Sequence, residues 1–392
     1  MSTPTSIGLP KLQIAFEAAA QQTINRSKKG YEAMIVRDTK AQGLYKLSSA
    51  TMIPSELGEA NQAQVKLAFE GSDRGTPSLI YLVVIATGTD DTTALEGGLK
   101  LLESVSVDYL AAPADVTDDE LEVLNEWTEG QRALYRTVKL VRPFKTAGSD
   151  NMGIIEFDET GMKNAAGAVT AAAYCARMAG ILCGIPMGMS ATYASLPELT
   201  EVTARSSTEQ TTAIDAGKLI LIHDGQKAKI ARAVNSLTTI PTDGSEDWRK
   251  IKIVEGMDLI TYFLRTTIED SYVGQYPNTY DNKQLLVAFI LQYLQELETA
   301  GVLNPGSSYC EIDYDRQLNW LRSRGGRGVQ PDPSAGAGVS DRLLGVHPVR
   351  RPSGGRYGGL RDPVQRPDAG CGCVNEGGMT HGTNDRQRKA GH

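Results

Sequence analysis

The sequence predicts an α/β fold for residues 31–240, followed by an α+β unit over residues 241–325. The run SLIYLVVIA (residues 78–86) is continuously apolar, which is typical of a strand buried on both faces of a sheet. Strand-like and helix-like segments alternate around that run, as they do in sheets covered by helices. Two long amphipathic helices then follow each other and would form the core of the second unit.

The first pattern along the chain is an isolated strand near the N-terminus. Residues 9–16 (LPKLQIAF) alternate between apolar and polar, which places Leu12, Ile14 and Phe16 on one face. A lone strand has no partners for its backbone groups. We therefore expect residues 1–30 to be an arm that donates this strand to the sheet edge of another chain.

The α/β unit has a regular order of predicted elements. Its predicted strands cover residues 32–38, 78–86, 107–113, 137–141 and 154–157, and its predicted helices cover 56–69, 92–103, 118–135 and an alanine-rich 162–183. Thr117 and Glu120 have the spacing of a capping box at the start of the third helix. Two further strands within residues 216–234 would be joined by the turn dipeptide Asp224-Gly225.

The second unit begins after a polar linker at residues 241–248. Its two predicted helices, 249–271 and 281–300, each have an apolar inner face. We expect these faces to consist of Ile253, Met257 and Ile260 on the first helix and Leu285, Ala288 and Leu291 on the second. A short strand near CEIDYD and a helix ending at Arg324 complete this unit.

Composition excludes several classes of protein. The chain has 392 residues, of which 41% are hydrophobic and 22% charged, as in soluble globular proteins. Acidic residues outnumber basic ones over residues 1–325, which disfavours nucleic-acid binding by that part. No secretion signal and no membrane-spanning apolar run is present, so we expect a cytoplasmic protein with no membrane partner.

The sequence offers no convincing active site. His223 is the one histidine in residues 1–325 and lies at a predicted strand end, and no metal-ligand spacing occurs there. Cys175, Cys183 and Cys310 are widely spaced, which suits small buried residues better than disulfides. We predict no catalytic residues, no metal and no cofactor.

Three glycines recur every four residues, at Gly180, Gly184 and Gly188. The lysine and serine or threonine of a phosphate-binding loop are missing. This repeat therefore favours close packing or a helix end.

Long stretches of the chain resemble one known family. The segments KIKIVEGMDLI, RTTIEDSYVGQYPNTYDNK and GVLNPGSSYCEID, within residues 250–313, closely resemble the C-terminal domain of contractile phage tail sheath proteins. The resemblance is to the short-sheath branch found in defective prophages and phage-like particles of Gram-positive bacteria. The segments GLPKLQIAF and INRSKKGYEAMIVRD resemble that branch's N-terminal arm, and AGKLILIHDGQKAKIARAVNSL resembles its central domain.

The resemblance implies a structural function without enzymatic activity. Sheath subunits form hexameric rings that stack helically around the tail tube above a baseplate, and contraction drives the tube through a cell envelope. It implies an exchange arm at 1–30, a central domain at 31–240 and a tube-facing domain at 241–325. The subunit would assemble in the cytoplasm of the bacterial host and reside in the tail of a virion or phage-like particle.

The resemblance also singles out residues of the C-terminal domain. The matching positions are Glu255, Asp258, Arg265, Glu269, Asp270, Tyr276, Pro277, Asn278, Tyr280, Asp281, Asn282, Asn304, Pro305 and Gly306.

At Gly325 the resemblance stops, and residues 326–392, the tail, are rich in glycine, arginine and proline. The family continues there into a final strand of the type TGS.VF…V…DAMED. Read with the first base of each codon dropped, residues 341–362 can encode TGSSVFIRSAVRPVDAMEDFG. We therefore interpret the tail as an out-of-frame translation and expect it to be disordered. A natural disordered tail is the alternative.

Two other functions remain open at this point. A hydrolase-like enzyme built on the central α/β domain is one, although the required Asp-His-Ser set is missing. A nucleic-acid-binding module that uses the basic tail is the other, although the tail has one aromatic residue, Tyr357, and no repeated RGG unit.

Overall fold

The computed structural model describes residues 30–87, 91–145, 148–242, 244–277, 279–306, 308–313 and 346–350. The helices of these residues are α1 Glu59–Phe69, α2 Asp91–Leu102, α3 Asp118–Ala133, α4 Ala171–Gly184, α5 Ser207–Asp215, α6 Ile251–Ser271 and α7 Tyr280–Thr299. The strands are β1 Tyr31–Arg37, β2 Gly43–Leu47, β3 Leu79–Ile85, β4 Tyr109–Ala111, β5 Lys139–Pro143, β6 Ile154–Phe157, β7 Met162–Asn164, β8 Gly167–Val169, β9 Ser195–Leu196, β10 Leu199–Glu201, β11 Lys218–Leu219, β12 Leu221–His223, β13 Ala228–Ile230, β14 Ser308–Ile312 and β15 Val346–Arg350.

A seven-stranded sheet forms the centre of the first unit, in the order β11-β6-β5-β4-β1-β3-β2. All its neighbouring strands are parallel except the edge strand β2, which runs antiparallel to β3. Every residue of β3 is buried, because helices cover both faces of the sheet. α1 and α4 pack on one face, and α2 and α3 pack on the other. The predicted α/β fold is confirmed.

Two local predictions are also confirmed. The Thr117 side chain accepts a hydrogen bond from the Glu120 N–H, and the Glu120 carboxylate accepts one from the Thr117 N–H, so the capping box starts α3. Asp224 and Gly225 turn the chain between the antiparallel strands β12 and β13, and Gly225 has a φ of 95°. A positive φ is the reason that glycine is favoured at such a turn.

The alanine-rich helix starts later than predicted. Residues 162–169 form the hairpin β7–β8, which pairs with β10, and α4 begins only at Ala171. Thr170 caps α4 by accepting a hydrogen bond from the Ala173 N–H. The prediction was wrong because alanine favours a helix, whereas Gly167 at a φ of 128° allows the turn of the hairpin.

Two of the three repeated glycines, Gly180 and Gly184, lie at close contacts, in agreement with the predicted close packing or helix end. A Cβ added at Gly180 would lie 2.3 Å from the Ala68 carbonyl oxygen, because α4 and α1 approach each other there. Gly184 is the last residue of α4, and a Cβ added to it would lie 2.7 Å from the Gly75 carbonyl oxygen.

Substituting Gly180 by alanine should destabilise the protein by about 1–3 kcal/mol, because the added methyl group forces α1 and α4 apart. Gly97 is the matched control: it is exposed in α2, and nothing lies within 4 Å of its added Cβ. Gly97→Ala should be stabilising by about 0.5–1 kcal/mol. Urea unfolding measures both changes. If Gly180→Ala left the free energy of unfolding unchanged, the contact between α1 and α4 would not be tight.

The second unit contains the two predicted long helices, which pack on each other around a core, but both inner faces were assigned partly wrongly. On α6, Ile260 packs in that core, whereas Ile253 and Met257 pack with Trp248. On α7 the buried residues include Leu286, Phe289, Ile290 and Tyr293, whereas Leu285 and Leu291 are half-buried and Ala288 is exposed. Because apolar residues surround most of α7, periodicity did not identify its buried face, and the large aromatic rings determine it.

The predicted linker at 241–248 ends in a buried residue. Trp248 lies in a short 3-10 helix, Glu246–Arg249, and is 2% exposed. The linker is thus attached to both units at its C-terminal end.

A two-stranded sheet joins the second unit to the tail. β14 pairs antiparallel with β15, with Ile312 opposite Val346 and Ser308 opposite Arg350. The tail was expected to be disordered, and that prediction is wrong for residues 346–350. The open edge of β14 offers backbone partners, and an extended segment can pair with it although Pro348 lacks an N–H.

Some predictions concern residues outside the described ranges. These include the arm strand with Leu12, Ile14 and Phe16, the helix ending at Arg324, and the rest of the tail. Within the described part of the chain, no helix combines the length and hydrophobicity needed to cross a bilayer.

Candidate functional site at the joint between the two units

The family-motif residues on α6 face the amino ends of β4 and β5. Glu255, Asp258, Arg265 and Glu269 are separated by helical spacings that place them on one side of α6. We call their contacts with the first unit the joint. At the joint, charged side chains of α6 contact α3 and the strands β4 and β5.

Asp258 is the centre of the joint. Its carboxylate accepts two parallel hydrogen bonds from the Arg132 guanidinium, both 2.9 Å long, and lies 3.3 Å from the Lys139 ammonium. All three residues are less than 10% exposed. A bidentate arginine–carboxylate pair fixes both distance and orientation, so Asp258 aligns α6 with the end of α3.

Glu255 makes the second contact, one helical turn before Asp258. The Tyr109 hydroxyl at the start of β4 donates a hydrogen bond to its carboxylate. The Lys139 ammonium lies 4.7 Å from the centre of the Tyr109 ring, which links the two contacts through a cation–π interaction. Burial raises the pKa of Glu255 to about 7, against the opposing effect of the Lys139 charge and the Tyr109 hydrogen bond.

Arg265 extends the joint toward the loop after α3. It donates a hydrogen bond to the Leu134 carbonyl, its guanidinium lies 5.3 Å from the centre of the Tyr135 ring, and its Nε is 2.6 Å from Glu269. Tyr135 has a φ of 61°, which turns the chain sharply after α3. The Arg265–Glu269 pair is exposed and adds little stability by itself.

Polar contacts dominate the joint, whereas apolar cores lie on either side of it. The core between α6 and α7 is separate from the two cores that cover the sheet. Burying charges costs desolvation energy that their mutual attraction only partly offsets, so such pairs determine geometry more than they add stability. The joint therefore sets the orientation of α6.

A cleft of about 640 Å³ lies beside the joint. It is bounded by α6, by the chain segments 102–109 and 135–139, by residues 183–187 at the C-terminal end of α4, and by Gly30. These segments lie at the amino ends of β1, β4 and β5. Ligands of open α/β sheets usually bind at the opposite, carboxyl ends.

The other family-motif residues form the turns at the two ends of α7. Tyr276 contacts the ring of Tyr272, the Pro277 carbonyl accepts a hydrogen bond from Asn282, and the Asn282 N–H is capped by Thr279. Tyr280 and Asp281 begin α7, and the Asp270 carbonyl accepts a hydrogen bond from Gln275. After α7, Asn304 and Pro305 precede Gly306, whose N–H is 2.7 Å from Glu298. Asn278 lies outside the described residues.

The described residues do not favour the hydrolase alternative. His223 is exposed at the end of β12, and its Nδ1 accepts a hydrogen bond from the Gly225 N–H. Among the described residues, no group of three or more His, Cys, Asp or Glu side chains has the arrangement of a metal site.

Sequence reasoning named residues of α6 but not the residues of the first unit that contact them. Arg132, Lys139 and Tyr109 lie at the ends of α3, β5 and β4, where polar residues are ordinary. One signal was available: Lys139 interrupts the apolar pattern of a predicted strand, TVKLV, which indicates a buried charge that needs a partner.

Glu255 gives the joint a pH dependence. Because its folded-state pKa of about 7 exceeds the ordinary 4.5, its contribution to stability is fully present below about pH 4.5. That contribution is lost as the pH rises through about 7. The Glu255→Gln variant keeps an acceptor for Tyr109 but does not ionise.

We expect Glu255→Gln to gain stability relative to the unaltered protein, on the order of 2 kcal/mol, between pH 5 and pH 8. Burial also raises the pKa of Glu32 well above its ordinary value, so Glu32 titrates in both proteins and cancels in the difference. Urea midpoints across this pH range measure the effect. Parallel pH profiles of the two proteins would contradict it.

The sequence is similar to phage tail sheath proteins. Residues 243–322 match the family model described as phage tail sheath C-terminal domain. The chain is 32% identical over 320 residues to the tail sheath protein of Clostridium phage phiCD119, which covers 81% of this chain and 88% of that protein.

The fold is similar to those of solved sheath proteins. The sheath tail protein of Desulfitobacterium hafniense matches with a TM-score of 0.61 and 15% identity, over 73% of this chain and 90% of that one. The sheath tail protein of Listeria innocua matches with a TM-score of 0.62 and 14% identity, over 77% and 92%. The contracted helical sheath of the anti-feeding prophage matches with a TM-score of 0.60 and 12% identity, over 86% and 94%.

Proposed function

The chain belongs to the phage tail sheath family, and from this premise we propose how its parts act in a contractile tail. The protein is a structural subunit of the sheath that polymerises around the tail tube and contracts to drive it through the cell envelope. The similarity over 320 residues to a tail sheath protein carries this conclusion. Its place is the tail of a phage or phage-like particle, and the subunit assembles in the cytoplasm of the bacterial host.

The subunits form hexameric rings that stack helically, with the C-terminal unit toward the tube protein and the first ring on the baseplate. Contacts that repeat by rotation and translation without closing generate such helical assemblies. In this arrangement the first unit lies outside. No catalytic residue, metal or cofactor is needed, because free energy stored during assembly performs the work.

The joint transmits force between the outer and inner units. Contraction moves the outer layer, and the inner layer has to follow it without the two units separating. The bidentate Arg132–Asp258 pair resists rotation of α6 because any rotation breaks two charge-assisted hydrogen bonds in a buried place. The rest of the family motif shapes the turns around α7 that support the inner unit.

The arm links neighbouring subunits by strand exchange. The sheet β14–β15 is a candidate receiver, since a two-stranded sheet leaves backbone groups open on its edges. A strand containing Leu12, Ile14 and Phe16 would bury one apolar face there. Four main-chain hydrogen bonds at roughly 0.5–1.5 kcal/mol each, with this burial, would contribute several kcal/mol per subunit.

The tail is an out-of-frame translation of the family's final strand. In the shifted frame the positions of β15 would read FIRSA in place of VHPVR, which removes Pro348 and restores a missing backbone donor. Sequencing the coding DNA across codons 320–375 tests this directly. A single inserted or deleted base would support the out-of-frame interpretation. An intact reading frame that leads into the present tail sequence would rule that interpretation out.

Co-purification with the tube protein of the same particle tests the sheath assignment. We expect the chain to cosediment with preformed tubes and not with bare DNA, since residues 1–325 are acidic. Salt-dependent retention on DNA without tube binding would instead favour the nucleic-acid-binding alternative.

A further inference from the structure

The linker between the two units is closed at its base by backbone pairing. Val234, after β13, forms an antiparallel bridge with Lys250, which immediately precedes α6. Beside that bridge, the Asn235 N–H donates a hydrogen bond to the Arg249 carbonyl at 2.9 Å. The chain therefore enters and leaves the linker side by side.

The outgoing side of the linker is attached to the first unit. The Ser236 N–H donates to the Ile154 carbonyl at the start of β6, and the Ser236 hydroxyl donates to the Asn151 carbonyl, both at 2.9 Å. The backbone N–H groups of residues 238–239 donate to the Asp150 carboxylate at 2.6 and 2.8 Å. These contacts fix the outgoing side to the amino end of β6.

The returning side of the linker leads directly into α6. Trp248 packs in a small apolar cluster with Leu237 of the outgoing side and with Ile253 and Met257 of α6. The direction in which α6 starts therefore depends on how Trp248 is held against the outgoing side.

The side chain of Asn235 bridges the two sides. Its Nδ2 group donates to the Trp248 carbonyl at 2.7 Å, and its Oδ1 accepts a hydrogen bond from the Leu237 N–H at 3.1 Å. Asn235 is completely buried, so the loss of its side chain would leave both backbone groups without a partner. A carboxamide suits this position because it carries a donor and an acceptor on one short planar group.

We propose that Asn235 is a positioning residue that fixes the direction in which α6 leaves the first unit. The joint holds α6 farther along, at Glu255 and Asp258, whereas Asn235 holds the segment from which α6 starts. A helix held at two separated places cannot pivot about either of them. The importance of Asn235 for contraction rests on the proposed function, but its effect on a single subunit does not.

Asn235→Ala should allow α6 to change direction while both units stay folded. Spin labels at Glu122→Cys on α3 and Gln295→Cys on α7, both exposed positions, report the distance between the units by double electron–electron resonance. Asn235 should give one narrow distance distribution, and Asn235→Ala a distribution about twofold wider or more. An excess of unlabelled full chain removes distances between subunits, so the outcome does not depend on sheath formation.

The matched control is Asn61→Ala in the first unit. The Asn61 side chain donates to the Arg37 carbonyl and to the Asp38 carboxylate, far from the linker in the sequence. Asn61→Ala should lower the urea midpoint but leave the distance distribution narrow. A distribution equally narrow for Asn235→Ala would overturn the proposal, because Asn235 would then stabilise the fold without positioning α6. All these chains carry serine in place of three cysteines, Cys310, Cys371 and Cys373, whereas the buried Cys175 and Cys183 are kept.

Hydrogen exchange of the unaltered chain tests the proposal even if Asn235→Ala does not fold. The Leu237 N–H reports directly on the Asn235 side chain, because Asn235 Oδ1 accepts its hydrogen bond. We expect this N–H to exchange within about tenfold of the rate of the buried strand β6. Exchange as fast as in the exposed turn at Gly225 would show that the Asn235 bridge is not maintained and would overturn the proposal.

Discussion

Asparagine in place of Asp258 should lower the free energy of unfolding by about 3–5 kcal/mol, although the side chain keeps its size. The substitution leaves Arg132 and Lys139 as buried cations without their anion. The loss of one partner of a buried ion pair is costly because the remaining charge stays desolvated. Urea unfolding of the subunit measures the effect.

The matched control for Asp258→Asn is Glu269→Gln on the same helix. Glu269 pairs with Arg265, but the two side chains are 55% and 40% exposed. Water screens that pair, so we expect Glu269→Gln to lower the free energy of unfolding by less than about 0.5 kcal/mol. If Asp258→Asn changed stability by as little as the control does, the joint would not hold α6 in place.

Removing the apolar face of the arm should strongly weaken polymerisation while the subunit stays folded. Leu12→Ser, Ile14→Ser and Phe16→Ser together, or deletion of residues 1–17, remove several kcal/mol from each contact between subunits. A loss of 3 kcal/mol corresponds to about a hundredfold higher concentration needed for assembly. Sedimentation over a concentration series measures this threshold.

The opposite face of the arm strand supplies the control for that experiment. Lys11→Ser, Gln13→Ser and Ala15→Ser change as many residues but keep the apolar face. The concentration needed for assembly should stay within a few-fold of that of the unaltered chain. A subunit that loses most of its own thermal stability when residues 1–17 are deleted would show that the arm folds back on its own chain.

Much of the sheet was predictable from sequence because burial on both faces leaves an uninterrupted apolar run, as in β3. The capping box of α3 and the Asp224-Gly225 turn were predictable because their signals are local. The hairpin β7–β8 was not, since tertiary pairing with β10 outweighs the helix propensity of its alanines.

Only part of the joint could be predicted from the sequence. Glu255 and Asp258 were identified through a family resemblance, but no periodicity links them to Arg132, which lies 126 residues earlier in the chain than Asp258. Such a pairing is a product of the fold. The buried face of α7 could not be predicted for a related reason. It is set by contacts between aromatic rings of the two helices, such as Phe263 on α6 with Tyr293 on α7.

Electron microscopy of assembled sheaths tests the central claim most directly. The chain with its frame restored after residue 325 and the chain as given are each co-expressed with the tube protein. The restored chain should form long, ordered sheaths around tubes, and the chain as given should form few or short ones. Equal sheaths from both chains would contradict the account of the tail, and the absence of any tubular assembly from the restored chain would contradict the sheath function itself.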